Sequence, residues 1–359
     1  MTLTTLPFAL FLTAMLTMGS AVAQQRTVPD PIPAKATDLF ASAVPLSFTL
    51  AAQMQAIVGD RKQPGHDSLS VKHAALLSYS VDAAGGPGGA IPMALVVRGN
   101  FRRDPKHCQF PPLYIDFPKK KVGGTPFANQ NTLKLVTHCQ DEEFIVREYL
   151  VYKLYNLITD LSFRARLARV TYLDSASVRP AETHWAFLIE DEDDVARRNG
   201  TGELKAQTPT SRVDSMSLAT MAVFEYMIGN IDWDVEYRHN IRLMTVPGGN
   251  GKPNVVPYDF DHAVIVDATY ASRADNTGQR IYRGPLYEGQ LLKRVVARFN
   301  ELKPQFYALY ESEGRLSGAY VKKTVSYLDT FYKNINDPRT VKRHFFRGDT
   351  GGKLFASFH

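Results

Sequence analysis

Asp232, Asp234, Asn240, Asp259, Asp261 and His262 crowd into about thirty residues, in the stretches GNIDWDVEYRHNIRLM and VPYDFDHA. Five of the six offer hard oxygen donors, which suit Mg²⁺ or Mn²⁺ better than zinc. Phosphoryl transfer asks little covalent help of a protein: it must hold metal-bound phosphates, orient a hydroxyl and spread negative charge. In that chemistry Asp232 faces the acceptor hydroxyl while Asn240 and Asp259 hold the metal. An extended DFD segment also puts Asp259 and Asp261 on one face, because side chains alternate along a strand. The competing reading is that Asp and Asn are ordinary turn and cap formers. Against it, Phe260 and the apolar VVPY before Asp259 place these carboxylates where a buried strand ends, and charges there are costly unless paired or coordinated.

A phosphate-binding cation is the next requirement. In TLKLV, Leu133 and Leu135 point into the core and Lys134 the other way, a single ammonium on an interior-looking strand. Glu148 on the following helix is placed to hold it by an ion pair. The alternative is an edge-strand lysine that only discourages aggregation. RGNFRR at 98–103, with Arg98 at its head, can add phosphate contacts, the alternative being ordinary surface arginines beside a Gly. The acidic EDEDD at 190–194 reads as a solvated turn.

These residues need a frame. Between Leu76 and Val136 the apolar pattern is short and alternating (SYSV, MALVV, PLYIDF, TLKLV), which predicts strands. AAGGPGGA at 83–90 reads as a hairpin tip rather than a phosphate cradle, because a strand follows it. Asp141 to Asp160 shifts to helical period, apolar most of the way round, with Asp141, Glu142 and Glu143 at its positive end. RLARVTYL and HWAFLIE return to strand, and the polar tract EDEDDVARRNGTGELKAQTPTS is the expected seam between two lobes. A second helix spans Met216–Ile228, stopped by Gly229. NIRLM and NVVPY form a hairpin, and LLKRVVARFNELK and AYVKKTVSYLDTFYKNI form two late helices.

With 359 residues, 44% of them hydrophobic, the chain can bury a large core, and a net charge of +6 spread along it gives no basic stripe for nucleic acid. The first 23 residues carry no charge and hold a mostly apolar run from Leu6 to Met18 followed by Ala21, Val22 and Ala23, an expected export signal cut before Gln24. That run is short for a membrane span, so the expected address of the mature chain is periplasmic or secreted, with no transmembrane segment. In such a compartment Cys108 and Cys139, the only two cysteines, should form one bridge worth ~3–4 kcal/mol. No Cys-x-x-Cys spacing supports a zinc site.

Taken in order, the Arg98–Gly99 strand end, the Lys134 strand, the helix carrying REYL, the GN-x-D loop with its later HN, and Pro-x-Asp-x-Asp resemble the spore-coat-H (CotH) kinase-like family. The resemblance runs from about Arg98 to Ala263 and is strongest from Gly229 to Asp261. It implies Lys134 and Arg98 on ATP phosphates, Glu148 as the partner of Lys134, Asp232 as catalytic residue, and Asn240, Asp259 and Asp261 on Mg²⁺ or Mn²⁺. Asn240 follows Asp232 and also Asp234 at a longer spacing than in an ordinary protein-kinase loop, so either Asp fits the catalytic role, with the GN before Asp232 favouring it. The fold implied is α+β and two-lobed, protein-kinase-like: residues 1–23 signal, 24–37 lead-in, 38–190 a strand-rich N-lobe, 191–359 a mainly helical C-lobe. The activity implied is transfer of a phosphoryl group from ATP to a protein or glycan hydroxyl in the cell envelope. The alternatives are a catalytically silent kinase-like binding module and a metal-dependent phosphoesterase using the DFDH carboxylates and His262.

Overall fold

The computed structural model describes residues 1, 39–61, 71–80, 88–118, 122–246, 251–271, 280–287 and 289–345. The expected export signal, the lead-in, and the tips of the 83–90 and 247–251 turns fall outside them.

Strands in the first half alternate buried and exposed positions: β1 (Leu46–Ala52) buries Leu46, Phe48, Leu50 and Ala52 in turn. After the short helix α1 (Met54–Asp60) come β2 (His73–Tyr79), β3 (Gly89–Val97), β4 (Leu113–Asp116) and β5 (Thr132–Val136). The long helix α2 (Glu142–Ile158) then precedes β6 (Ala165–Asp174) and β7 (Glu182–Ile189). The seven strands close into a barrel in the order β1-β2-β3-β4-β5-β7-β6. Every neighbouring pair is antiparallel except the closing one, where β1 lies parallel to β6 from Leu46 opposite Ala168 to Ala52 opposite Asp174. Phe48, Leu50, Leu77, Leu95, Ile115 and Leu133 belong to the apolar cluster that this closure seals.

The closure overturns the expected architecture. The chain is α+β, but not a two-lobed kinase-like body with a mainly helical second lobe. The physical reason lies in residues 46–52. They supply a strand that meets β2 on one side and β6 on the other, so neither edge is left with unpaired backbone groups.

The second half is also not simply helical. Its polar tract carries α3 (Glu192–Arg198), capped by Asp191, and β8 (Gly202–Glu203). After α4 (Ser215–Ile228), β9 (Ile241–Thr245) and β10 (Asn254–Pro257) make the expected hairpin, with Ile241 opposite Pro257 and β8 added on the outer side. Then follow α5 (Gly289–Glu311), α6 (Gly318–Asn336) and α7 (Pro338–His344). Pro304 costs α5 a helical hydrogen bond. Even so, its buried stripe from Leu292 through Phe299 to Phe306 and Tyr310 runs unbroken past it, against α2 and α6.

Helix α2 is buried almost all round, as its pattern predicts, and joins the second cluster of apolar side chains with α4, α5 and α6. No helix among the described residues is long and apolar enough to cross a membrane. Cys108 and Cys139 form the expected disulfide, which ties the 98–112 connection to the segment leaving β5.

Candidate active site

Gly229 ends α4 in the left-handed region, at φ 72°, where a side chain would strike the Tyr327 hydroxyl and Val264. The turn it makes sends Asn230 into the loop, and the Asn230 Oδ1 accepts from the Asp232 N–H at 3.0 Å. Asp232 is thereby fixed at the mouth of a cleft of about 360 Å³. The hairpin brings the other oxygen donors to the same end: the Tyr258 N–H donates to the Asn240 carbonyl at 3.0 Å, so Asn240 and Asp259 lie beside each other. Both take left-handed backbone, φ 53° and 64°, a conformation uncommon even for these residue types.

Arg98, Lys134, Glu148, Asp232, Asn240, Asp259 and Asp261 all line this one cleft, together with His262. Asp234 does not. Its carboxylate accepts from the Tyr237 N–H at 2.8 Å and its backbone pairs with His239, so it shapes the 234–239 turn. Asp232 is instead bracketed by two neighbours: His239 Nε2 stands 2.8 Å from one oxygen, and Asn240 Nδ2 donates to the other at 3.1 Å. Of the two candidate aspartates, only Asp232 is in the cleft.

Lys134 is buried on β5, which lies between β4 and β7, so it is not an edge lysine. Its expected partner is wrong. The ammonium donates to Glu192 at 2.9 Å, near the rings of Tyr258 and Phe163, and Glu148 pairs with Arg102 at 3.3 Å. Register explains the exchange. Lys134 lies opposite Ile189 on β7, and α3 starts directly beyond that strand, which delivers Glu192 to the ammonium. Arg102, whose other nitrogen donates to the Thr137 carbonyl at 2.7 Å, fills the place beside Glu148. The EDEDD segment, expected to be a solvated turn, therefore supplies a cleft-side ion pair.

Buried carboxylates crowd the cleft floor. Burial raises Glu148 well above the usual carboxylate range, Asp261 reinforces the shift, and Arg102 only partly opposes it. Burial and the neighbouring Asp259 likewise push Asp261 up to about 6, although Tyr270 donates to it at 3.1 Å. Burial works against the charge on Arg102, but Tyr270, Glu148, Asp261 and Asp259 outweigh it and hold the guanidinium firmly protonated. Glu148, Asp259 and Asp261 thus crowd around Arg102, with Arg98 a weaker counter-charge to Glu148, and the donor set Asn240, Asp259 and Asp261 suits a hard divalent ion.

Two contributors escaped sequence reasoning, His239 and Arg242, while Arg102, expected within RGNFRR to touch phosphate, instead pairs with Glu148. Arg242 donates to the Tyr258 hydroxyl at 2.6 Å and stacks over its ring, adding a further cation to the cleft lining. The alternation IRLM put Arg242 on the polar face of β9, which was the available signal.

The model of the family described as CotH kinase protein matches residues 181–350. Asp232, Asn240, Asp259 and Asp261 fall inside that span, and Arg98, Lys134 and Glu148 before it. No curated protein matches the chain.

Proposed function

Proceeding from a chain that is CotH-like over residues 181–350, we propose that it is a metal-dependent phosphotransferase that moves a phosphoryl group from ATP to a protein or glycan hydroxyl. The observation that carries this is the convergence of Asp232, Asn240, Asp259 and Asp261 on one cleft with Lys134 and Arg98 in its wall. Asn240, Asp259 and Asp261 would hold Mg²⁺ or Mn²⁺, which supplies charge neutralisation to the phosphoryl oxygens. Lys134 and Arg98 orient donor phosphates as cations. Asp232 accepts the proton of the attacking hydroxyl as its oxygen bonds to phosphorus and the bridging oxygen of the donor departs with its electron pair. His239 and Asn240 hold that carboxylate in position. We place the activity outside the cytoplasm, in the envelope or secreted, a location supported by the disulfide and by the apolar Leu6–Met18 run.

Incubation with γ-labelled ATP and Mn²⁺ tests the proposal. Label on a protein or glycan acceptor, lost in Asp232→Asn and Asp259→Ala, supports it. Label released only as free phosphate would replace it with the phosphoesterase reading. One observation favours the silent binding module: Lys134 and Glu148 are each satisfied by another partner. In that case neither transfer nor release occurs.

A further inference from the structure

At one end of the barrel, beside Phe110 and Tyr172 of its apolar cluster, three residues from two segments converge, none of them lining the cleft described above. Glu182 and His184 sit two apart on β7, so strand alternation puts them on one face. His138 comes from the segment leaving β5, the neighbour of β7 in the barrel. One ligand atom from each of His138, Glu182 and His184 lies within 4.8 Å of the other two. The two imidazoles stack at 3.8 Å between centroids.

Two further features point to a ligand. His138 is only 9% exposed, yet its Nδ1 is buried with no hydrogen-bond partner among the described residues. An orphaned ring nitrogen in a buried position is costly unless something outside the protein satisfies it. His184 is meanwhile prepared as a metal-ligating histidine usually is. Its Nδ1 lies 2.7 Å from a Glu142 oxygen, which fixes the ring and turns Nε2 towards Glu182, 3.4 Å away. Arg169 holds that same Glu142 at 3.0 Å. His138 and Glu182 also line a small cavity of about 20 Å³, room for one water or ion.

We propose that His138, Glu182 and His184 form a binding site for a divalent transition ion of the zinc type, distinct from the Mg²⁺ or Mn²⁺ position in the cleft. Two imidazoles and a carboxylate select zinc over hard cations, and a water or a fourth ligand completes the coordination. The ion would fasten β7 to residues 137–139. That segment also carries the disulfide at Cys139 and the Thr137 carbonyl that anchors Arg102. The site is therefore a structural clasp, and it does not depend on whether the cleft transfers phosphate.

The test uses the full chain with Asp259→Asn and Asp261→Asn, so that the cleft is disabled as a competing site. Metal-free protein is titrated with Zn²⁺ alone by calorimetry, and with Co²⁺, whose visible bands report nitrogen ligation. The expected result is one equivalent of Zn²⁺ bound with a rise in Tm, and Co²⁺ bands that Zn²⁺ abolishes. Glu142→Gln, which takes the charge from the group orienting His184 and from its ion pair with Arg169, should weaken binding about 10–100-fold. Glu182→Gln, at an exposed strand end, should weaken it at least as much while the apo protein keeps its Tm. Absence of Zn²⁺ binding by the cleft-disabled protein overturns the proposal, as does affinity unchanged in both Glu182→Gln and His184→Asn.

Discussion

Glu225→Gln is the perturbation whose size the structure fixes most directly. Glu225 sits on α4 beneath the loop that carries Asp232, 1% exposed, with the Asn230 side chain against its carboxyl. Burial, opposed by the Asn230 amide and aided to a smaller extent by Asp232, pushes its carboxyl from the ordinary 4.5 up to about 8. The folded state therefore holds a proton that the unfolded chain releases, and the associated stability is complete below pH 4.5. It is lost as pH rises, by about 3 kcal/mol at pH 7 and about 5 kcal/mol above pH 8. An amide stays neutral throughout, so the variant escapes this loss. Urea unfolding of both proteins from pH 4 to pH 9 should give nearly equal stabilities at the acid end. The variant should lead by about 3 kcal/mol at pH 7 and by more above pH 8. Subtracting the two curves cancels the other titrating groups. A difference that does not change with pH, or a variant that loses ground as pH rises, would refute a buried, protonated Glu225.

Three other outcomes follow from local geometry. Lys134→Ala should weaken nucleotide binding, read as a smaller rise in Tm with ATP and Mn²⁺, and should also leave Glu192, which Lys134 holds below its ordinary range against the opposing effect of burial, without its main partner. Replacing Cys108 and Cys139 with Ala opens a loop with a sequence separation of 31, and chemical unfolding should show a loss of ~3–4 kcal/mol that thiol reduction of the parent protein reproduces. Gly229→Ala drives a Cβ into the Tyr327 hydroxyl and Val264 on a left-handed backbone, so a loss of roughly 1–3 kcal/mol is expected on thermal or chemical unfolding.

The parts of this chain that read well from sequence are those set by local chemistry. Alternation in NIRLM and NVVPY gives the hairpin, Gly229 stops α4, and the apolar circumference of α2 marks it as buried. Because the hairpin returns the chain to its starting end, Asn240 and Asp259 meet, and spacing alone makes that visible. The barrel was not legible. Its closure depends on residues 46–52 lying parallel to residues 168–174, a pairing that no local pattern announces. Ion-pair choice failed for a similar reason: helix period shows that Glu148 faces inward, but not that Arg102 reaches it first or that α3 begins beside Lys134. His138 and His184 stand far apart in the chain, and only strand pairing brings them together.

The account rests on the cleft taking a nucleotide and a hard divalent ion together. A crystal structure with Mn²⁺ and a non-hydrolysable ATP analogue, with manganese located by its anomalous scattering, tests this most directly. The predicted result is a manganese peak bonded to Asp259 and Asn240 oxygens, with the phosphates of the analogue contacting Lys134. A cleft without nucleotide, or manganese bound away from Asp259, would contradict it.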